Sequence, residues 1–102
     1  MRYFILLLSL FAFTAPSRAD VTIQKDIDYL GADRKEKADL YLPKEKPAPG
    51  QLRPAVLIVH GGGWTGGDKG AKREINIGTT LAEDGYVAMS INYVLYKKDG
   101  PS

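Results

Sequence analysis

Residues 21–43 alternate between apolar and polar side chains on both sides of a polar turn. In the first half, 21–30, the apolar side chains share one face, which Lys25 interrupts; they are Val21, Ile23, Ile27 and Tyr29. In the second half, 37–43, the face opposite Asp39 and Tyr41 carries Ala38, Leu40 and Leu42. A period of two on either side of the Gly-led turn GADRKE is typical of strands joined in a hairpin. The pattern therefore predicts an antiparallel hairpin with one buried face.

The next apolar segment, AVLIV at 55–59, shows no alternation. It follows residues 43–54, whose four prolines indicate an extended surface loop. A continuous, β-branched apolar run suits a strand that is buried on both faces, as in a parallel sheet covered by helices. We therefore expect the second half of the chain to build a parallel sheet.

A helix is predicted at 72–85, where Ile75, Leu81 and Ala82 fall on one helical face. Gly85 occupies the position of a glycine that ends a helix. Another apolar strand is predicted at 86–96. Strand, helix and strand in this order form a βαβ unit, which is expected to be right-handed with parallel strands. A parallel sheet of two strands cannot cover both of its faces, so the predicted sheet is incomplete within this chain.

Between the strand at 55–59 and the helix lies HGGGWTGG, residues 60–67, with five glycines and the only histidine of the chain. Glycine loses more backbone freedom on folding than any other residue, so such a cluster indicates special backbone angles or a close approach. The cluster follows the carboxyl end of a predicted parallel strand, where open α/β folds bind ligands. Its backbone N–H groups have no side chains to shield them, and they therefore suit an anion.

Three kinds of anion site are alternatives for this loop. Gly61, Gly63 and Gly66 match the G-x-G-x-x-G of a dinucleotide-binding βαβ unit, but the predicted helix begins only near Lys72, too far on for its N-terminus to hold a pyrophosphate. A phosphate-binding P-loop needs a hydroxyl after its lysine, and GGDKG has none after Lys69. The third alternative is an oxyanion hole, in which backbone N–H groups bind the negative oxygen of a tetrahedral intermediate.

The sequence HGGGW after an apolar strand resembles the HGGG motif of α/β-hydrolase esterases and lipases. The wider pattern is similar to the carboxylesterase and feruloyl- or acetyl-xylan-esterase-like branch over nearly all of residues 20–102; its elements are DLYLP, AVLIVHGGGW, GGDK and LAEDGYVAMSINYVL. One departure is Tyr93-Val94-Leu95, where many relatives have Tyr-Arg-Leu. The resemblance implies an α/β fold, the N-terminal portion of an α/β-hydrolase domain, in which the antiparallel hairpin precedes the parallel βαβ unit.

The resemblance also implies roles for the loop residues. It places the oxyanion hole at Gly62 and Gly63. The loop-organising residues are His60, Gly61 and Trp64, with Trp64 lining the acyl or alcohol pocket or packing under the loop. The implied activity is carboxylic-ester hydrolysis through an acyl-serine intermediate. The structural alternative is that His60 and Trp64 only pack, and that residues 68 and 69 form a solvated turn.

The catalytic triad of such an enzyme does not occur in this chain. The family requires a serine in G-x-S-x-G, followed by an acid and a histidine in that order, and Ser90 lies inside a predicted strand without flanking glycines. The resemblance therefore places the triad after Ser102 and predicts that the 102-residue chain alone is inactive. A non-catalytic fragment or a small binding module is the alternative function.

Residues 1–19 have the layout of a secretory signal peptide. Arg2 precedes an apolar run at 4–13, and the small residues Ser17 and Ala19 stand before a cleavage site. The run is too short to be a stable membrane anchor. We therefore expect a secreted or periplasmic protein, cleaved near Ala19, whose domain spans residues 20–102.

Composition narrows the expected partners. Removal of Arg2 and Arg18 from the 14 basic residues leaves as many basic as acidic side chains, 12 of each, so no basic surface suggests nucleic acid. The chain has no cysteine, and a domain this small then depends on its hydrophobic core alone. The expected partner is a small-molecule or polysaccharide-linked ester, and nothing in the sequence calls for a metal or a cofactor.

Overall fold

A computed structural model of the chain describes residues 20–98, which form four strands and one helix. The elements are β1 (Val21–Ile27), β2 (Ala38–Pro43), β3 (Ala55–Val59), α1 (Lys72–Glu83) and β4 (Val87–Ile91). The predicted signal peptide, residues 1–19, lies outside the described residues. Within 20–98, no helix combines the length and the hydropathy needed to cross a bilayer.

The strands form one mixed sheet in the order β1-β2-β4-β3. β1 and β2 pair antiparallel, which confirms the predicted hairpin. β3 and β4 pair parallel on either side of α1, which confirms the predicted βαβ pairing. The antiparallel pairing of β2 with β4 joins the two units into a single sheet. The carboxyl ends of β3 and β4 therefore lie side by side, at the point where the glycine-rich loop begins.

α1 packs across one side of the sheet, which we call the helix face. The buried core on this face consists of Tyr41, Ile58, Ala82 and Ala88. The ring of Tyr41 is 1% exposed and lies directly under Gly78, where an added Cβ would stand 2.6–2.7 Å from three ring carbons. Because residue 78 has no side chain, the helix approaches closely enough to cover the tyrosine.

The boundaries of α1 agree with the sequence prediction. The helix begins at Lys72, and Gly85 beyond its end has a φ of +92°, the left-handed conformation that glycine favours. Ala82 is buried and Leu81 packs half-buried against the core. The predicted helix and its apolar face are therefore confirmed.

The prediction that β2 buries only the face of Ala38, Leu40 and Leu42 is wrong, although Ala38 itself is 0% exposed. Asp39 and Tyr41, which the alternation assigned to the solvent side, are 2% and 1% exposed on the helix face. The opposite side of the sheet, the outer face, carries Ala38, Leu40 and Leu42. Two partners that hydropathy does not reveal explain the reversal: Gly78 leaves room for the tyrosine ring, and Lys69 lies 2.7 Å from the Asp39 carboxylate.

A β-bulge in β1 breaks the predicted alternation of that strand. The register shifts between Gln24 and Ile27, and Asp26 within the bulge has a φ of +58°. From Gln24 to Ile27, β1 advances three residues while β2 advances two. Ile27 therefore lies on the outer face, whereas Ile23 lies on the helix face. The prediction that these two isoleucines share a face is therefore wrong, and Lys25, the exception in the pattern, marks the bulge.

Within residues 20–98, β3 is buried on one face only, as expected of a sheet that is incomplete in this chain, and burial on both faces stays a prediction for the complete sheet. Ile58, on the helix face, is 7% exposed, whereas Leu57 and Val59, on the outer face, are 55% and 49% exposed. The reason is that α1, the single helix of the described residues, lies on the other side of the sheet.

β4 ends at Ile91, although the apolar pattern predicts a strand through residue 96. The N–H of Asn92 donates a last sheet-like hydrogen bond to the carbonyl of Lys37 at 2.9 Å. The side chains of Asn92 and Tyr93 then bond to the segment between β3 and α1. The prediction fails here because these polar contacts lead the chain away from the sheet.

We predict that Gly78→Ala lowers the free energy of unfolding, although alanine is the better helix former by about 1 kcal/mol. The added methyl overlaps the Tyr41 ring, and overpacking of this kind costs about 1–3 kcal/mol. Urea unfolding measures the difference, with Thr80→Ala, at an exposed position of the same helix, as the matched control. A Gly78→Ala variant at least as stable as the wild type would show that the ring moves aside without cost.

Candidate active site

The glycine-rich loop contains a tight left-handed turn. The carbonyl of Gly62 accepts hydrogen bonds from the N–H groups of Thr65 and Gly66, each at 3.2 Å, and from the Thr65 hydroxyl at 3.2 Å. The central residues Gly63 and Trp64 have φ of +63° and +68°, as in a type I′ turn. The three bonds on one carbonyl fix the path of the chain through the turn.

Two close approaches fold the loop back on its own backbone. A Cβ added to Gly62 would collide with the carbonyl of Gly66, and one added to Gly67 would collide with the carbonyl of Gly61 and the ring of His60. Gly62 and Gly67 also have φ of +138° and +97°. Both positions therefore require glycine for space as well as for conformation.

His60 is buried at the base of the loop and is fixed by Tyr93. Its Nδ1 lies 2.9 Å from the carbonyl of Gly61, and because a carbonyl only accepts, Nδ1 is the donor. The Tyr93 ring stacks on the imidazole at 4.4 Å between centroids and 18° between planes. The Tyr93 hydroxyl donates to the carbonyl of His60 at 2.6 Å. These contacts attach the start of the loop to the chain that follows β4.

Trp64 combines a left-handed backbone with an exposed indole. A positive φ is an outlier for a bulky residue, and such strain costs of order 1–3 kcal/mol. The carbonyl of Trp64 accepts a hydrogen bond from the N–H of Tyr96 at 2.7 Å, and the indole meets the Tyr93 ring edge-on at 5.8 Å. The side chain is nevertheless 68% exposed. Trp64 therefore stands at the rim of a cleft and does not pack under the loop.

The turn forms a wall of a cleft of about 370 Å³, within the range of small-molecule sites. The cleft is lined by Val59, His60, Gly61, Gly62, Gly63, Trp64 and Tyr93. The N–H groups of Gly62 and Gly63 bond to no acceptor among residues 20–98. Two residues of the cleft wall therefore carry backbone N–H groups without an acceptor in the described part of the chain.

Asp68 and its neighbours tie the end of the loop to the chain after β4. The Asp68 carboxylate accepts hydrogen bonds from the Asn92 amide at 3.0 Å and from the N–H of Gly70 at 2.7 Å. The Asn92 amide oxygen accepts in turn from the N–H of Lys69 at 2.8 Å. The hydrogen bonds from Asn92 and Gly70 lower the pKa of Asp68 below its ordinary value.

Lys69 is 8% exposed, and its ammonium is paired with one buried carboxylate, Asp39, and one exposed carboxylate, Asp26. Its Nζ lies 2.7 Å from Asp39 Oδ1 and 2.9 Å from Asp26 Oδ1. Burial pushes the pKa of Lys69 down, but the hydrogen bonds to both carboxylates outweigh it, so the pKa is raised overall. The predicted turn at Asp68 and Lys69 is present, since the N–H of Ala71 donates to the carbonyl of Asp68 at 3.2 Å, and Asp68 is exposed. The prediction that Lys69 is solvated is wrong, because the sequence does not reveal its partners on β1 and β2.

Other kinds of site find little support in the described residues. Within 20–98, no group of three or more histidine, cysteine or acidic side chains is placed to hold a metal ion. The dinucleotide alternative needs a helix N-terminus at the glycines, whereas α1 begins at Lys72, six residues after Gly66. The N-terminus of α1 is therefore not placed as the dinucleotide motif requires.

The structure brings the predicted loop residues together around one cleft; they are His60, Gly61, Gly62, Gly63 and Trp64. Sequence reasoning missed Tyr93 and Asn92 as partners of the loop, because they contact residues 33 and 23 positions away and no periodicity reports such contacts. Val94, at the departure from the family pattern, is 40% exposed and lines a neighbouring cleft beside Tyr93.

Comparison with known proteins gives two matches and one negative result. The sequence model of the BD-FAE family, an esterase-like family, matches residues 38–100, more than half of the chain. Among solved structures, the chain is similar to esterase B from Lactobacillus rhamnosis, in a crystal structure with a C4-C4 SN3 tributyrin phosphonate. The identity is 33% and the TM-score is 0.56, over 74% of this chain and 24% of that one. No curated protein matches.

The structural likeness confirms the predicted fold class, since the mixed sheet with its helix forms part of an α/β-hydrolase fold. The chain spans about a quarter of the length of the esterase that it resembles.

We predict that Tyr93→Phe lowers the free energy of unfolding by about 1 kcal/mol, the usual net value of one hydrogen bond. The ring still stacks on His60, but the bond to the His60 carbonyl is lost. Urea unfolding measures the change, and Tyr96→Phe is the matched control because Tyr96 is 64% exposed. Equal stability of Tyr93→Phe and the wild type would contradict this role of the hydroxyl.

We predict that Asp68→Asn alters the dependence of stability on pH at the acidic end. A carboxyl whose pKa is lowered by folding contributes stability above its ordinary pKa of 3.8 and loses it as the pH falls through the folded value. The difference in unfolding free energy between wild type and Asp68→Asn should therefore be present at neutral pH and shrink in acid. Urea unfolding across this range tests it, with Asp33→Asn as control. A difference independent of pH would refute the prediction.

Proposed function

The chain belongs to the BD-FAE family, and from that premise we propose that it carries the oxyanion-binding loop of a carboxylic-ester hydrolase. The observation that supports this most directly is the turn at Gly62 and Gly63, two residues that line a cleft and whose N–H groups are free of acceptors among residues 20–98. The likeness to an esterase in complex with a phosphonate supports the same reaction class.

The proposed role of the turn follows from the charge that develops during ester hydrolysis. The carbonyl oxygen of the ester becomes negative in the tetrahedral intermediate, and the N–H groups of Gly62 and Gly63 donate to it. Loss of one such donor typically costs about 2.7–4 kcal/mol of transition-state stabilisation. Because three hydrogen bonds on the Gly62 carbonyl fix the turn, its donors need not reorganise as the charge forms.

His60, Gly61 and Trp64 support the turn in this proposal. The Nδ1 proton of His60 is donated to the carbonyl of Gly61, and the stacked Tyr93 holds the imidazole in place, which suits an organising role and not that of a general base. The exposed indole of Trp64 forms a wall against which the acyl or alcohol group of an ester packs.

The nucleophile of the reaction lies outside residues 1–102 in this proposal, since no G-x-S-x-G occurs in them. A serine on such an elbow, followed by an acid and a histidine, attacks the ester carbonyl and forms an acyl-serine intermediate, which water then hydrolyses. The substrate is a small-molecule or polysaccharide-linked ester. Export directed by residues 1–19 places the enzyme outside the cytoplasm.

Sequencing of the coding DNA beyond the Ser102 codon is the first test. A reading frame that continues into G-x-S-x-G, an acidic residue and a histidine supports the proposal. A stop codon directly after Ser102 contradicts it for this molecule and favours the non-catalytic fragment or the small binding module.

The whole protein is then assayed with p-nitrophenyl acetate and butyrate. After phosphonate treatment, mass spectrometry should find one modified serine, the elbow serine.

We predict that Gly62→Ala in the whole protein lowers kcat about 100-fold with a smaller change in KM. The added Cβ collides with the carbonyl of Gly66, so the turn and its donors must shift. Gly50→Ala is the matched control, because Gly50 also has a positive φ, +79°, but has open space and lies in the remote 43–54 loop. An unchanged kcat in Gly62→Ala would remove the turn from the reaction.

Gly63→Pro is a second test of the turn, because it removes a donor and also disturbs the backbone that holds the other. Proline has no N–H and cannot adopt the φ of +63° found at Gly63, so kcat should fall at least as far as in Gly62→Ala. A Gly63→Pro variant that keeps its kcat would assign the oxyanion to other donors.

A further inference from the structure

Every polar group of Lys69 is bonded to a different part of the described structure. Its ammonium binds Asp39 on β2 and Asp26 in the bulge of β1. Its N–H donates to Asn92 after β4, and its carbonyl accepts from the Ser90 hydroxyl at 3.0 Å. Residue 69 is therefore held in place by β1, β2 and β4 together.

The two aspartates that bind Lys69 are also hydrogen-bonded to each other. The N–H of Asp26 donates to Asp39 Oδ1 at 3.1 Å, on the same oxygen that receives the Lys69 ammonium at 2.7 Å. Asp39 and Lys69 are 2% and 8% exposed. A buried pair of this kind is held in one geometry, because moving either partner leaves a charge in a poorly solvated site.

Lys69 is two residues from the point where the loop touches its own backbone. Gly67 packs against the carbonyl of Gly61 and the ring of His60 without room for a Cβ, and the Gly66 carbonyl packs in the same way against Gly62. Only Asp68 separates residue 69 from residues 66 and 67, whose backbone contacts Gly61 and Gly62, so residue 69 has a short, close-packed connection to the turn.

From these contacts we propose that Lys69 is a positioning residue, which acts through Gly66 and Gly67 to set the place of the N–H donors at Gly62 and Gly63. The inference rests on the proposed function for its catalytic consequence, but the mechanical link between Lys69 and the turn does not depend on it. The ion pairs fix residue 69 against the sheet. The glycine backbone at residues 66 and 67, which contacts Gly61 and Gly62, connects that fixed residue to the cleft.

The test compares Lys69→Met with the double variant Lys69→Met/Asp39→Asn in the whole protein. Lys69→Met leaves the Asp39 carboxylate buried without its ammonium, so the melting temperature falls. Asp39→Asn then removes the buried charge while its side-chain oxygen can still accept from Asp26, so the melting temperature partly recovers. Neither methionine variant can bind residue 39 as Lys69 does, and the turn stays displaced in both.

The expected catalytic result is a fall in kcat of about 10- to 100-fold in both variants, with KM changed much less, as for a small misplacement of catalytic groups. Lys46→Met, at an exposed position of the 43–54 loop, keeps the wild-type kcat. A kcat that recovers in the double variant along with the melting temperature would overturn the proposal, because Lys69 would then act on stability alone.

A second readout separates this proposal from the proposed function. With selective ¹⁵N labelling of glycine, the amide resonances of Gly61, Gly62 and Gly63 should shift in Lys69→Met and in the double variant, but not in Lys46→Met. This result is expected whether or not the protein hydrolyses esters. Unshifted glycine resonances in a folded Lys69→Met protein would refute the positioning role. A wild type without esterase activity would refute the proposed function only.

Discussion

The glycine-rich loop depends on one steric constraint, the direct contact of two stretches of backbone with no side chain between them. Gly62 lies against the Gly66 carbonyl, and Gly67 lies against the Gly61 carbonyl and the ring of His60. Each contact uses the surface that a Cβ would occupy, so the loop keeps its shape only while those positions remain glycine. The entropy that glycine loses on folding is the cost of this arrangement, and a turn with a fixed backbone path is its result.

Polar contacts, more than buried apolar area, specify where this loop stands. The described residues bury few large apolar side chains, since the core cluster consists of Tyr41, Ile58 and the two alanines Ala82 and Ala88. Their polar counterparts are equally well buried; they are Glu36, Asp39, His60, Lys69, Glu74 and Ser90. Apolar contact is non-directional, whereas a hydrogen bond or an ion pair accepts a narrow range of geometry. The contacts of Lys69, Asn92 and Tyr93 therefore determine the position of the loop on the sheet.

Local patterns in the sequence were sufficient for the elements and for two of the three strand pairings, but not for the pairing of β2 with β4. Alternation predicted the hairpin, the apolar run at 55–59 predicted β3, and Gly85 marked the end of α1 correctly. The five residues of the motif HGGGW line one cleft, because they are neighbours in the chain. Features of this kind are encoded within about ten residues, and a period or a motif can report them.

The failures have the opposite character, since each depends on a partner that is distant in sequence. Asp39 and Tyr41 were assigned to solvent because the hydropathy pattern of a strand contains no information about distant partners. Here the partners are Lys69 and Gly78, which lie 30 and 37 positions further on. β4 stops early because Asn92 and Tyr93 meet the loop. A single sequence contains no direct signal for such pairs. The local sign of such a distant contact is an unexpected polar residue in an apolar pattern, such as Lys25.

The bulge in β1 gives this small domain an unusual sensitivity to changes in chain length during evolution. A strand paired in a regular ladder loses its register when a residue is inserted or deleted, and all of its side chains change face. In β1, deletion of one residue near Asp26 would remove the bulge and leave a regular ladder with β2. It would also withdraw the carboxylate that meets Lys69 across 43 positions of sequence. Selection for the loop at the end of β3 is therefore also selection for an imperfection in β1, and homologous strands should keep their irregular length even where their residues differ.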